Sequence, residues 1–369
     1  MASVTKRPDG TYRARYRAPG HDGKMKEYAK HFPTKKAGQA WLDEVTASRV
    51  TGTYIDPDRA RSTVAAMATT WLASHPDWTP STRARNESVV AVHVLPRWGA
   101  VKLADVTHEA VQEWVGGFQL AGGTVRKILG VLNGILELAV TTKRLAVNPA
   151  VAVARPKQTI KRRRYLNAHQ VERLAHAAGD AFDVVMVLAY SGLRFGELAA
   201  LRVGSVDQLR RRFRVEESVT EVNGVSEWGT PKDHQRRSVP YPDFLDDHVA
   251  ARMADKGPND LLFPSARGGV LRVRNLRRGW FDAAAVAAGV EGLTPHELRH
   301  TAASLAVKAG ASVLALQRML GHDKPSTTLD VYADLFDEDL DDVAARLATV
   351  RAAGLADFLR TEPRLVAVQ

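Results

Sequence analysis

Apolar and polar residues alternate strictly over residues 11–17, TYRARYR, which is the period of a strand with one buried face. Tyr12, Ala14 and Tyr16 fall on the inner face, and Arg13, Arg15 and Arg17 on the outer one. Pro8-Asp9-Gly10 just before is a turn signal, so the spacing predicts a hairpin with residues 2–7. A third strand over Lys26–Phe32 and a helix from Lys35 to about Arg49 complete a small module. Beyond a proline-containing bridge, Tyr54–Arg61, the period becomes helical over Val64–Ser74 and again over Thr124–Val140. In the latter stretch Val125, Ile128, Leu129, Leu132, Ile135 and Leu136 share one face, and Asn148-Pro149 closes the helical set. From Leu166 the pattern is mixed but mainly helical. One strand pair is expected around Phe213–Val222 and Val225–Trp228, across an Asn223-Gly224 turn. The expected fold class is a multidomain α+β protein with a three-stranded sheet plus helix, an all-helical domain, and a mainly helical domain carrying a small antiparallel sheet.

Length and charge narrow this picture. A chain of 369 residues exceeds one ordinary core, and its 45% apolar content suffices for real ones. The formal charge of +11 favours a polyanionic partner. The apolar runs are too short for a bilayer and the first ten residues carry no secretory signal, so nucleic acid is the expected partner and no membrane is implied. The absence of cysteine excludes disulfides and Cys-based zinc sites and fits a reducing setting. Charge is also unevenly spread: the first sixty residues hold twelve Lys or Arg against seven Asp or Glu. Residues 155–164, RPKQTIKRRR, hold six basic residues and no acid, so Lys161, Arg162, Arg163 and Arg164 are candidate phosphate contacts. Arg13, Arg15 and Arg17 are candidates of a second kind, since a sheet face carrying three arginines can enter a major groove. Arg83, Arg85, Arg126 and Lys127 are available on the helical set. For each of these, the plain alternative is a solvated charged face.

Four short motifs follow in order. They are Ala189-Tyr190-Ser191-Gly192-Leu193-Arg194-Phe195-Gly196-Glu197-Leu198, then Gly229-Thr230-Pro231-Lys232, then Leu293-Thr294-Pro295-His296-Glu297-Leu298-Arg299-His300-Thr301. The last begins Leu320-Gly321-His322 and runs on through Ser326-Thr327-Thr328-Leu329-Asp330-Val331-Tyr332. Together these resemble the tyrosine recombinase (phage integrase) family, whose signature is Arg, Lys, His-x-x-Arg, His and Tyr in this order. Any one motif is weak, and a lone tyrosine is far more often a packing residue than a nucleophile. Six residues in order carry the resemblance.

What the resemblance implies is a site-specific DNA recombinase in which Tyr332 attacks a phosphodiester and leaves a 3′-phosphotyrosyl link and a free 5′ hydroxyl. Arg194 and Arg299 match phosphate with forked, permanently charged groups. Tyrosine, with an ordinary pKa near 10, needs positive charge and a proton acceptor nearby, roles that fit the arginines and His296. The family's candidate acid for the departing oxygen is Lys232, with the neighbouring Arg236 and Arg237, or Lys324 further on, able to compete for the role. His322 would bind the phosphate and Glu197 would orient the site, while His300 would be a structural neighbour. The phosphotyrosine conserves bond energy, so no cofactor is expected. The resemblance also names the flanking regions: an arm-type DNA-binding domain at 1–58, a helical core-binding domain at 62–152, a basic linker at 153–164, the catalytic domain at 165–345 and a tail at 346–369 docking on a neighbouring protomer. It implies core-type and arm-type attachment sites on double-stranded DNA, a homotetramer passing through a four-way junction, a host DNA-bending protein and an excisionase as partners, and the nucleoid of a bacterial cytoplasm as the location.

Three rivals stand beside this reading. A type IB topoisomerase-like enzyme shares the nucleophile without strand exchange, and a catalytically inactive architectural protein would bind DNA alone. The third is a zinc protease, because His296-Glu297-Leu298-Arg299-His300 satisfies H-E-x-x-H. Such a site needs a third ligand. Ala303 and Ala306 stand where the longer motif requires Gly and His, and the first glutamate after His300 is Glu338.

Overall fold

The structure is a computed structural model that describes all residues except 1, 21–23, 52–53, 159–162, 232–235, 337–344, 346 and 356–369. Of the expected site residues, Lys161, Arg162 and Lys232 lie outside the described residues, as does the acidic stretch Asp337–Asp342. The chain divides into two compact units, Met1–Lys161 and Arg162–Gln369. No helix among the described residues is long and apolar enough to cross a membrane.

The first unit opens with an antiparallel sheet of β1 (Ser3–Lys6), β2 (Tyr12–Pro19) and β3 (Met25–Phe32) in that spatial order. Gly10, at φ 85°, makes the first turn, and the Asp9 carboxylate accepts from both the amide and the hydroxyl of Thr11. The alternation along β2 then resolves as expected: Ala14, Tyr16 and Ala18 are buried and Arg13, Arg15 and Arg17 exposed. Helix α1 (Lys35–Val50), capped by the Thr34 hydroxyl on the amide of Ala37, closes this small core with Leu42. Glu27 on β3 takes up two of the three arginines, Arg13 at 3.1 Å and Arg15 at 3.6 Å.

The helical set follows as α2 (Pro57–Ala60), α3 (Val64–Ala73), α4 (Pro80–Val89), α5 (Leu95–Trp98), α6 (His108–Gly116) and α7 (Gly122–Thr141). A π-helical turn over Val90–Val94 joins α4 to α5. It sits just ahead of Pro96, which lacks an amide hydrogen and would crowd the carbonyl four residues back, and the wider turn absorbs both effects. The apolar face of α7 is the spine of this core, with all six residues of the sequence stripe buried together with Val131 and Ala139. Gly134 lets Trp71 of α3 lie against the α7 backbone. Asn148 ends the set by donating to Asn133 and Glu137 while accepting from the amide of Ala150.

The second unit contains α8 (Ala168–Ala177), α9 (Phe182–Ser191), α10 (Phe195–Ala200), β4 (Val206–Asp207), β5 (Arg212–Val215), β6 (Ser218–Val222), β7 (Val225–Gly229), β8 (Arg237–Pro240), α11 (Asp246–Met253), α12 (Val273–Leu276), α13 (Asp282–Ala287), α14 (Pro295–Lys308), α15 (Val313–Leu320) and α16 (Pro325–Tyr332). Helix α9 is buried on nearly every side, between α8 and α14. The β6–β7 hairpin turns on Asn223 and Gly224, at φ 50° and 82°, as their identity predicts. The first strand of the expected pair is shorter than the apolar pattern suggested. Residues 212–215 form β5 of a separate sheet, ordered β4-β5-β8, and the chain breaks at Glu216-Glu217 before β6 begins. The cause is long-range: Phe213 pairs with Val239 and is fully buried, which draws β5 away from the local hairpin. Past Tyr332, residues 347–355 are helical, with Leu347, Val350 and Leu355 exposed.

A Cβ added at Gly134 would stand 2.9 Å from Trp71 Nε1, closer than packed atoms allow. Gly134→Ala is expected to destabilise the first unit by about 1–3 kcal/mol through overpacking, outweighing its gain in helix propensity. Urea unfolding followed by tryptophan fluorescence checks this.

Candidate active site

The site is assembled on the C-terminal end of α15. That helix stops at Gly321, which adopts the left-handed conformation at φ 65° and returns its amide to the carbonyl of Gln317. A helix end leaves carbonyls without partners inside the helix. Here three in succession each accept from a different arginine: Met319 from Arg237 Nε at 3.1 Å, Leu320 from Arg299 Nη2 at 2.6 Å and Gly321 from Arg194 Nη2 at 3.3 Å. The arginines arrive from three elements. Arg194 is the N-cap residue of α10, delivered by the left-handed Gly192 that ends α9. Arg237 begins β8, and Arg299 lies on the inner face of α14. Arg299 also donates to the carbonyl of Gly192 at 2.7 Å, so one guanidinium ties the ends of α9 and α15 together.

A single carboxylate balances this cluster. Glu197, 1% exposed, receives the fork of Arg237 at 2.8 and 2.6 Å and Arg194 Nη1 at 3.0 Å. It also caps its own helix by accepting from the amide of Arg194. Burial pushes the Glu197 carboxyl up, but the hydrogen bonds and charges of Arg237 and Arg194 outweigh it and hold the group below the ordinary carboxylate range. Arg299 is 3% exposed, and burial followed by the like charge of Arg194 brings it down to about 9, still cationic at neutral pH. Three cations against one anion leave the site positive, which suits a phosphodiester gaining charge.

His322 and Tyr332 complete the group. His322 directly follows the glycine that ends α15, and its Nδ1 lies 2.9 Å from the hydroxyl of Thr328, fully buried on α16. Its ring is nearly parallel to that of Tyr332, with centroids 6.2 Å apart and planes 10° apart. Tyr332 ends α16, 1% exposed, and its hydroxyl meets His300 Nδ1 at 2.8 Å. Burial pushes its pKa up to about 12, with Arg299 pulling the other way. His296 stands exposed one turn before His300 on α14, their ring centroids 5.0 Å apart.

The structure thus brings Arg194, Glu197, Arg299, His322 and Tyr332 together, with His296 at the rim. Arg237 and His300 join them, though the sequence marked the first only as a competitor for Lys232 and the second as a structural neighbour. Arg237 is committed to Glu197 and Met319 and is no mobile acid. Of the candidate DNA contacts, Arg163 donates to the carbonyl of Val331 at 2.7 Å and Arg164 to those of Val290 and Glu291, so both are engaged within the second unit. Arg274, Arg277 and Arg278, on and just after α12, line a groove with Glu221 that the sequence reading passed over, and Arg272 just ahead of α12 pairs with Glu221 at 3.7 Å. Their spacing, R-x-R-x-x-R-R, was the available signal. The protease-like motif is otherwise employed. Glu297 accepts from the amide and hydroxyl of Thr294 in a capping box, and among the described residues no group of three metal-ligating side chains forms.

A positively charged, largely buried cluster beside a tyrosine is the kind of setting that phosphoryl transfer to a tyrosine would require. Residues 164–339 match the model of the phage integrase family. The chain is 30% identical over 222 residues to tyrosine recombinase XerC of Actinobacillus succinogenes, covering 58% of this chain and 71% of that protein. It is 26% identical over 372 residues to the integrase of Mycobacterium phage L5, covering 94% and 97% of the two chains. Its fold resembles that of lambda integrase in a tetramer bound to a Holliday junction, with a TM-score of 0.56, 18% identity and 87% and 96% coverage. The chain belongs to the phage integrase family of tyrosine recombinases.

Glu197→Gln removes the counterion of two guanidiniums and is expected to cost about 3–5 kcal/mol at neutral pH. Because the folded pKa of Glu197 is depressed, its contribution is present above the unfolded value near 4.3 and is lost as pH falls through the folded one. Denaturation of both proteins across pH should therefore show the gap narrowing as pH falls below the ordinary carboxylate range.

Proposed function

We propose that this chain integrates and excises phage or mobile-element DNA by site-specific recombination, with Tyr332 as the nucleophile. The observation that carries this is the convergence of Arg194, Arg299 and His322 on the end of α15 beside Tyr332. In this reading the two arginines and His322 hold the non-bridging oxygens of the scissile phosphate, and His296 reaches it from the rim. Tyr332 Oη bonds to phosphorus while the bond to the 5′ oxygen breaks. Lys232, which falls between β7 and β8 in the sequence, is the proposed acid for that oxygen. Glu197 and Arg237 keep Arg194 oriented. No step calls for a metal or a nucleotide cofactor.

The flanking parts are assigned on the same reading. Residues 1–58 bind arm-type DNA through the β2 face, where Arg17 is the arginine that Glu27 does not hold. Residues 62–152 bind the core site, and 153–164 form the linker between them and the catalytic domain at 165–345. The groove arginines around α12 add phosphate contacts. Residues 346–369 dock on a neighbouring protomer, and the exposed Leu347, Val350 and Leu355 supply an apolar face for that contact. The assembly is a homotetramer on two duplexes, assisted by a host DNA-bending protein and an excisionase, in the bacterial cytoplasm.

The test starts from a pool of nicked duplexes of randomised sequence, from which the wild-type protein captures its own sites as covalent adducts. Peptide mapping should place the DNA on Tyr332, and Tyr332→Phe should form no adduct while still binding the captured duplexes. Arg194→Ala and Arg299→Ala should each slow adduct formation by about a thousandfold or more. Exchange of strands between two captured duplexes, rather than relaxation of a supercoiled circle alone, completes the assignment. An adduct that survives Tyr332→Phe overturns it.

A further inference from the structure

Helix α16, which carries Tyr332, is lightly held. It buries Thr328 and Tyr332, whereas α14 buries eight of its residues. Buried surface is what ties a helix to its neighbours, so α16 belongs with the elements that open first. Its polar ties run from Thr328 to His322, from Tyr332 to His300 and from Val331 to Arg163. The third differs from the other two, because Arg163 is permanently charged and stands near the end of the basic run 155–164. Its Nη1 donates at 2.7 Å to the carbonyl of Val331, in the last turn of the helix, where carbonyls lack intrahelical partners.

The chain just after Arg163 is well anchored. Arg164 donates to the carbonyls of Val290 and Glu291, and the amide of Leu166 to the buried hydroxyl of Thr301. Tyr165 packs in the cluster that encloses Tyr332. Arg163 therefore reaches α16 from a firm base, and its side chain is the part that can move. Burial pushes the Tyr332 phenol up, and Arg163 is among the charges that oppose it, so the guanidinium lies close to the nucleophile.

We propose that Arg163 is a positioning residue that gates the nucleophile: it holds α16 shut, and a phosphate of bound DNA releases Tyr332 by taking its guanidinium. The inference rests on Tyr332 being the nucleophile. At 1% exposure the tyrosine ring is sealed and cannot reach phosphorus until α16 moves. A phosphate offers Arg163 an opposite charge and two parallel acceptors, where the Val331 carbonyl offers a partial charge and one. The exchange leaves that carbonyl to water and makes or breaks no covalent bond. It links the exposure of Tyr332 to a DNA backbone lying along the run that ends at Arg164.

The experiment uses Arg163→Met, which keeps the stem and removes every donor, and Arg163→Ala as a second variant. Without DNA, hydrogen exchange over 325–332, read by mass spectrometry, should be at least about tenfold faster in both variants than in wild type. Exchange over α9 should stay unchanged, which shows that the unit is folded. A captured duplex is then rebuilt with one backbone phosphate at a time, away from the cleavage point, made neutral as a methylphosphonate. With protein saturating, neutralising the phosphate that Arg163 takes should slow single-turnover adduct formation by wild type about tenfold. The same duplex should leave both variants within about twofold of their own rate on the unmodified one. A residue that merely supports the fold has no such coupling to one phosphate.

The gating role is overturned by unchanged exchange over α16 with α9 intact, or by loss of α9 protection in both variants. It is equally overturned by a scan in which wild type and variants respond alike at every position. Variants that form adduct about tenfold more slowly than wild type on the unmodified duplex also overturn it. If the adduct maps away from Tyr332, the proposed function itself fails. If it maps to Tyr332 and any of those results appears, only the role of Arg163 fails.

Discussion

The site depends on three consecutive carbonyls at the end of one helix, each held by a different arginine. A helix terminus must find partners for its last carbonyls, and water or a glycine turn usually supplies them. At the end of α15 the partners are Arg237, Arg299 and Arg194, drawn from a strand, a helix and a helix cap far apart in sequence. The partial negative charge of the helix end helps these cations lie close together. Glu197 supplies the rest of the compensation from the opposite side. Disturbing any one member leaves a buried charge or an orphaned carbonyl, so the cluster holds together as a unit.

This arrangement explains how cations can be gathered in one place without the fold being lost to their repulsion. Each guanidinium has five donors, and the cluster engages only some of them. Arg299 is deepest and spends its bonds on backbone, while Arg194 keeps 21% of its side chain exposed. Lysine could not substitute, since one ammonium cannot bridge a carbonyl and a carboxylate with the planar fork that Arg194 and Arg237 use.

Local chemistry made much of this legible in the sequence. The alternation along β2, the stripe on α7 and the Asn223-Gly224 turn are short-range patterns, and each produced its expected element. The order of the motifs pointed to Arg194, Arg299, His322 and Tyr332, and the fold gathers them. What escaped were interactions between distant segments. The break between β5 and β6 depends on β8, which lies beyond the hairpin. Arg237 reads as one more basic residue near Lys232 until its fork is seen on Glu197, forty residues earlier. The pairing of Arg13 and Arg15 with Glu27 is a cross-strand contact that a one-strand pattern does not contain. The contact of His300 with Tyr332 is absent from the motif because a motif lists neighbours along the chain, and the two are 32 residues apart.

The left-handed turn at Gly321 makes the backbone, rather than any side chain, the receiving end of the three arginines. Carbonyl oxygens survive every substitution, so the outward-facing residues of α15 can drift in evolution without erasing the receptor. Its length is not free in the same way. One residue more or less before Gly321 would turn the carbonyls by about 100° around the helix axis. The arginines would then face the wrong oxygens, and His322 would leave its place beside Tyr332. The tolerance of this segment should therefore be wide for spelling and narrow for counting.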